Sequence, residues 1–357
     1  MKGNLIIASL IVALCPAVFA DNITMTGTVE HAMPLNQSLL QHQGLATESS
    51  DVKTIDLLQF ELSASAQQTL YRRVEQLLQA RTSTEQSISS TTSRPSVQLG
   101  MNHVPVFDQG KHGTCVTFAV TSAIDAAMNK GDDVSQLCLL QLGSYLEQQG
   151  QGLSGWDGFW EHAALERIDQ YGYIKVAHQK KYGCGGVKKY PSSKKPTTSM
   201  TPEEYSQYSE TLSNAQVTWK TLFDTQNFTS DKSEMEKKLS AVKTALKAGQ
   251  RVSFSVLLPR TDLGTVGADA WHHWFADTWV LSYEIAKALE TATTLPGHAM
   301  VITGYDDHAV AMDRWGHRHH GLLTLRNSWG SNVADWGDFY MSYDYFKALA
   351  IEANAIK

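Results

Sequence analysis

The sequence predicts an α+β protein in two lobes, the first mainly helical and the second rich in strands. Three observations carry that prediction. Residues 115–128 are apolar nearly all round, as a helix buried between two layers would be. Residues 234–248 form an amphipathic helical pattern that leads straight into residues 251–257, a strand that opens the second lobe. Two further strand-like runs follow, one starting at His298 and ended by Gly304-Tyr305-Asp306-Asp307, the other at 322–327 and ending in a turn.

The elements before residue 97 read differently. Residues 1–20 have Lys2, an apolar core from Leu5 to Leu14, and Val18-Phe19-Ala20 with small residues at the cleavage positions, which is the pattern of a secretory signal. Cys15 is expected to leave with it. Residues 23–29 and 52–58 read as short strands. Ala66, Leu70, Val74, Leu77 and Leu78 then recur at helical spacing behind Ser63 or Ser65 as cap. Residues 81–96, dense in Ser, Thr and Gln, read as an exposed linker. The expected division is 1–20 signal peptide, 21–96 propeptide and 97–357 catalytic domain.

Composition excludes some function classes. A formal net charge of −6 gives no reason to expect nucleic-acid binding, and the lysine-rich stretch 175–195 reads as a solvated loop. The apolar core of the signal is too short to span a membrane, and no other run approaches the roughly 20 residues that a spanning helix needs. The reading is an exported monomer, secreted or periplasmic. Beyond Cys15, the cysteines are Cys115, Cys138 and Cys184. In an oxidising compartment a Cys138–Cys184 disulfide leaves Cys115 as the free thiol, the alternative being three unpaired cysteines.

The chemistry concentrates in Gln109-Gly110-Lys111-His112-Gly113-Thr114-Cys115. A cysteine that opens a helix meets partial positive charge and unpaired N–H groups, so its thiolate is expected to be stabilised below the free value of about 8.5. Gln109 offers a donor to a developing oxyanion. His298, in Pro296-Gly297-His298-Ala299, supplies a base. Asn327, in Arg326-Asn327-Ser328-Trp329-Gly330, supplies a group to orient it, provided the two strands are adjacent.

In these residues the sequence resembles the papain-like cysteine peptidases, which carry a Gln, a Cys at a helix start, a His-Ala strand and an Asn-Ser-Trp-Gly turn in that order. The resemblance spans roughly residues 100 to 350. It implies a papain-like two-lobed fold with a helical left lobe, an antiparallel, barrel-like right lobe and an inhibitory N-terminal propeptide. It assigns Cys115 as nucleophile, His298 as base, Asn327 as its orienter and Gln109 as oxyanion donor. It also implies a polypeptide substrate and assigns Ser154, Gly155, Gly297 and Trp329 to the substrate cleft, with Trp329 shielding the His298–Asn327 hydrogen bond. The chain departs from the family at His112, where a disulfide-forming cysteine is usual, and at Val116, where an aromatic is usual. The spacing from Cys115 to His298 exceeds the roughly 130–150 residues usual for the family, so insertions are expected at 271–295 and 306–320.

No cofactor or metal is expected. Adjacent histidines such as His272-His273 point to opposite faces of a strand, and 317–320 lacks a carboxylate or cysteine at metal-ligand spacing, so both clusters are expected in exposed loops. The sequons at Asn22, Asn36 and Asn227 matter only in a glycosylating host. Two other functions keep the same motif: a catalytically silent binding protein and a thiol acyltransferase.

Overall fold

The computed structural model describes residues 22–35, 52–84, 95–226, 228–273 and 275–357. The signal-like segment, Asn36, Asn227 and the stretch 85–94 of the expected linker lie outside them. In chain order come β1 (Ile23–Pro34), β2 (Val52–Leu62), α1 (Ala64–Thr84), β3 (Ser96–Gln98), α2 (Cys115–Met128), α3 (Gln136–Gln148), α4 (Glu161–Tyr171), α5 (Val176–Tyr182) and α6 (Pro202–Ser206). They are followed by β4 (Trp219–Phe223), α7 (Lys232–Lys247), β5 (Arg251–Leu257), β6 (Ala270–Trp271), β7 (Thr278–Trp279), α8 (Tyr283–Leu289), β8 (Thr294–Asp313), β9 (Arg318–Arg326), β10 (Asp338–Ser342), α9 (Tyr343–Leu349) and β11 (Ala350–Ile356).

This is the predicted α+β architecture. Helix α2 is buried from Cys115 to Ala126 and packs on both β8 and α4, so its all-round apolar pattern reflects a position between the lobes. Asn129, in the left-handed region at φ 55°, ends it. The helical lobe is completed by α3, whose Ser135 cap accepts from the Cys138 N–H at 3.0 Å, and by a Cys138–Cys184 disulfide with a Cα–Cα separation of 5.1 Å. Cys115 is free and buried. The strands join in one sheet around the long β8, which pairs antiparallel with β5 and β9.

Three expectations about boundaries, exposure and local structure change. Helix α7 begins at Lys232, because Asp231 accepts from the N–H groups of Ser233 and Glu234 and so caps it earlier than the apolar pattern suggests. The stretch 306–320 is not an exposed insertion loop: β8 and β9 continue through it as a paired hairpin, with Val310, Ala311 and Met312 opposite His320, His319 and Arg318. His319 is accordingly 4% exposed. The lysine-rich segment contains a short helix, α5, before its loop.

The N-terminal segment is built into the fold. β1 and β2 form an antiparallel ribbon from Ile23↔Leu62 to Pro34↔Val52, longer than the two short runs the sequence suggests. β2 then adds to β8, with Leu58 opposite Gly297 and Phe60 opposite Leu295. Helix α1 buries Ala66, Leu70, Val74, Leu77 and Leu78, the side chains whose spacing predicted it, and Ser63 caps it. The expected linker begins late, since α1 runs on through Arg81 to Thr84.

Polar contacts hold α1 down along its length. Gln67 donates to the Glu290 carbonyl at 2.8 Å, and Arg73 Nε to the Thr229 carbonyl at 2.5 Å. Arg81 donates to the Leu281 carbonyl at 2.9 Å and lies 3.1 Å from His319 Nδ1. His319 Nε2 lies 3.2 Å from Asp313 Oδ2, so the neutral ring donates to the carboxylate and accepts from Arg81. No helix among the described residues is long and apolar enough to cross a membrane.

Burial, followed by the Arg81 charge, lowers His319 from its ordinary 6.5 to about 4. A folded-state value below the unfolded one means that stability is full above pH 6.5 and falls as pH drops towards 4. The thermal midpoint is therefore expected to decline across that window, and His319→Gln to decline less. Equal slopes for the two proteins would remove His319 as a cause.

Candidate active site

The pairing of β8 with β9 sets Val301 opposite Arg326, which brings His298 and Asn327 together although they lie 29 residues apart. His298 Nε2 donates to Asn327 Oδ1 at 2.7 Å, and the same oxygen accepts the Ser328 N–H at 2.7 Å, which fixes the amide orientation. With the proton on Nε2, Nδ1 is the basic nitrogen. It is buried without a hydrogen-bond partner among the described residues. Trp329 stacks on the imidazole, with ring centroids 4.4 Å apart and 28° between planes. That cover keeps water from the His298–Asn327 bond.

Cys115 enters from the opposite lobe as the first residue of α2. Its sulfur takes a backbone hydrogen bond from Ala299, the residue after His298, which places the thiol beside the first part of β8. Gln109 is fully buried in the turn before it. Ser328 Oγ donates to Gln109 Oε1 at 2.8 Å, which aims Nε2 at the His112 carbonyl, 2.7 Å away. The four residues that the sequence singles out for chemistry thus converge, with Ser328 as an unforeseen bridge between Gln109 and Asn327.

The electrostatics differ from the expectation of a stabilised thiolate. Burial pushes the Cys115 thiol up to about 12, and backbone hydrogen bonds from Ala299 and Val116 only partly oppose it. Burial likewise lowers His298 to about 4, against the raising effect of Asn327. Both groups are neutral as a result. The helix N-terminus cannot stabilise a thiolate by enough to offset complete removal from water.

The cover is the N-terminal ribbon. The Asp56 carbonyl of β2 lies 3.5 Å from Gln109 Nε2, and Lys53 Nζ donates to the Trp329 carbonyl at 2.8 Å. Lys53 also pairs with Asp108 at 2.5 Å. A Cβ at Gly297 would sit 2.5 Å from the Phe60 ring. One at Gly158 would sit 2.6 Å from Met25 Sδ and 3.2 Å from Leu58 Cδ2. Strand β2 therefore crosses the site from Lys53 beside Trp329 to Phe60 beside Gly297.

The predicted cleft residues divide. Gly297 faces the ribbon. Ser154 and Gly155 do not: a Cβ at Gly155 would meet Leu140, Thr117 and Phe159, and the Ser154 carbonyl accepts from Arg167 at 3.1 Å, so both belong to the interior of the helical lobe. The glycine on the cleft wall is Gly158, three residues on, paired with Gly155 across a tight turn. The Gly158-Phe159-Trp160 run just before α4 was the signal that could have identified it. Trp329 is 1% exposed and offers the cleft its carbonyl, not its ring. Of the histidine clusters, His272 Nδ1 lies 3.2 Å from the Val310 carbonyl and His273 Nε2 2.9 Å from the Tyr340 hydroxyl. No group of three or more potential metal ligands forms among the described residues.

Residues 200–355 match the sequence model of the Peptidase C1-like family, a span that includes His298 and Asn327 and starts after Cys115. No curated protein matches the chain. Among solved structures, it is similar to xylellain, a cysteine protease from Xylella fastidiosa, at 20% identity over 74% of this chain and 87% of that one, with a TM-score of 0.45. Digestive procathepsin L 3 of Tenebrio molitor larval midgut gives 19% identity over 74% and 72%, with a TM-score of 0.42. The bromelain protease from Ananas comosus in complex with the E64 inhibitor gives 17% over 73% and 98%, with a TM-score of 0.40. The part of the chain that carries His298 and Asn327 is thus similar to the Peptidase C1-like family.

Proposed function

We propose that this protein is an exported cysteine endopeptidase made as an inactive precursor, with residues 1–20 as signal, 21–96 as propeptide and 97–357 as catalytic domain. The observation that carries the reading is the His298–Asn327 hydrogen bond under Trp329, which commits the imidazole to one tautomer beside a free cysteine at a helix start. Without the ribbon, Cys115 and His298 become solvated and exchange a proton to form thiolate and imidazolium. The thiolate attacks the scissile carbonyl, and Gln109 Nε2 and the Cys115 N–H donate to the oxyanion. His298 then protonates the leaving amine, and water hydrolyses the thioester.

The ribbon supports the precursor reading. A strand that lies against Gly297, Gly158 and Gln109 fills the place of an extended polypeptide, beside two reacting groups that burial keeps neutral. A cleft that accepts a through-running strand is open at both ends, which favours endopeptidase action over removal of terminal residues.

Incubating the full chain and its Cys115→Ala variant with an epoxide inhibitor of papain-like enzymes tests the reading by intact mass. Processing within 85–96 and one adduct are expected for the wild type, and neither for the variant. Absence of both after the linker is cut by an added protease would favour the binding protein. Gln109→Ala is expected to lower kcat roughly 10²–10³-fold, and an unchanged kcat would remove Gln109 from the oxyanion site.

Alkylation by iodoacetamide reads the cover directly. In the intact precursor Cys115 should react slowly at pH 7 and faster only in the alkaline range, towards its raised value. Leu58→Asp, which places a charge in the filled cleft, should speed the reaction and move its profile to lower pH. A precursor as reactive as the processed enzyme would show that the ribbon does not control the thiol.

A further inference from the structure

Residues 187–195, between the disulfide and α6, press against the turn that carries Gln109 and Cys115. The Lys111 N–H donates to the Ser192 carbonyl at 2.9 Å, and His112 Nε2 lies 3.0 Å from the Pro191 carbonyl. Tyr190 goes deepest. Its hydroxyl donates to the Gln109 carbonyl at 2.9 Å and lies 2.8 Å from Thr114 Oγ1. Its ring stacks on Trp156, centroids 5.7 Å apart and 20° between planes, and meets His112 and Phe118 edge-on.

We propose that Tyr190 is a positioning residue for the proposed peptidase reaction, tying the Gln109 carbonyl to the Thr114 hydroxyl and so fixing the two oxyanion donors, Gln109 Nε2 and the Cys115 N–H, relative to each other. The inference rests on the peptidase reading. The hydrogen-bond inventory supports it. A phenol has one proton, and a carbonyl can only accept, so that proton goes to Gln109 and Thr114 must donate to the phenol oxygen. Burial holds the phenol in its protonated form. Thr114 is the residue at the N-cap of α2, yet its side chain makes no cap bond, and its hydroxyl reaches Tyr190 instead.

The brace also has a fixed base. Its loop leaves Cys184, whose disulfide to α3 is fully buried, and Gln141 Nε2 donates to Thr198 Oγ1 at 3.0 Å near the loop's other end. A misplacement of oxyanion donors by a fraction of an ångström weakens a bond that matters mainly in the transition state. Losing one neutral hydrogen bond should therefore lower kcat roughly three- to tenfold and leave substrate binding alone.

The test compares wild type, Tyr190→Phe, Gln109→Ala and the double variant, each expressed as the full chain, processed in the linker and titrated for active sites with the epoxide. Expected are a three- to tenfold lower kcat for Tyr190→Phe, a KM within twofold, an unchanged pH profile of Cys115 alkylation, and no further loss in the Gln109→Ala background. Thr114→Val, which removes the donor to the same oxygen, should change kcat in the same direction. An unchanged kcat, a loss confined to KM, or the same loss with and without Gln109 would overturn the proposal. If the processed wild type cleaves no peptide, the peptidase reading has failed, and hydrogen exchange of amides 109–116 then decides on the brace. Faster exchange in Tyr190→Phe supports it, and unchanged exchange overturns it.

Discussion

The structure depends on strand β8 and the hydrogen bonds that both of its edges make. β5 pairs with it over residues 297–302 and β9 over residues 301–312, while β2, β3 and β6 take further stretches of its length. A strand held from both sides cannot slip by one residue without turning its buried face outward. That constraint sets His298 at the lobe interface and Asn327 beside it. It also leaves residues 294–297 as the edge to which the N-terminal ribbon adds.

The same edge carries the cover of the candidate site. β2 binds by backbone hydrogen bonds beside His298, and its side chains fill the space against Gly297 and Gly158. Removing water from a thiol and an imidazole disfavours their charged forms in opposite directions, raising one value and lowering the other. A neutral pair results, although the tautomer-fixing hydrogen bond and the tryptophan cover are already in place.

The lobes meet through polar groups as well as through α2. Glu352 on β11 accepts from the N–H groups of Glu161 and His162 at 3.1 and 2.7 Å, capping α4 from across the lobe boundary. Glu161 is buried beside that carboxylate, and burial together with the Glu352 charge raises it well above the usual carboxyl range, so it stays protonated and accepts from Ser255 Oγ at 3.0 Å. Its retained proton is what lets two carboxyl groups share so small a volume.

By itself the sequence determined the local elements and the candidate reacting groups. Periodicity alone predicted α2 and the buried face of α1, because a helix's apolar stripe repeats at fixed spacing whatever it packs against. The chain order of Gln109, Cys115, His298 and Asn327 singled out the candidate site because each residue type stands in a local context that suits one step of acyl transfer. Only the tertiary structure decided what depends on distant pairing. The seat of β2 on β8, Gly158 instead of Gly155 on the cleft wall, the burial of His319 under Arg81 and the reach of Tyr190 to Gln109 each join segments that no local pattern relates. The state of Cys115 is of the same kind: its place at a helix start was legible in the sequence, but its raised pKa comes from burial among segments far apart in the chain.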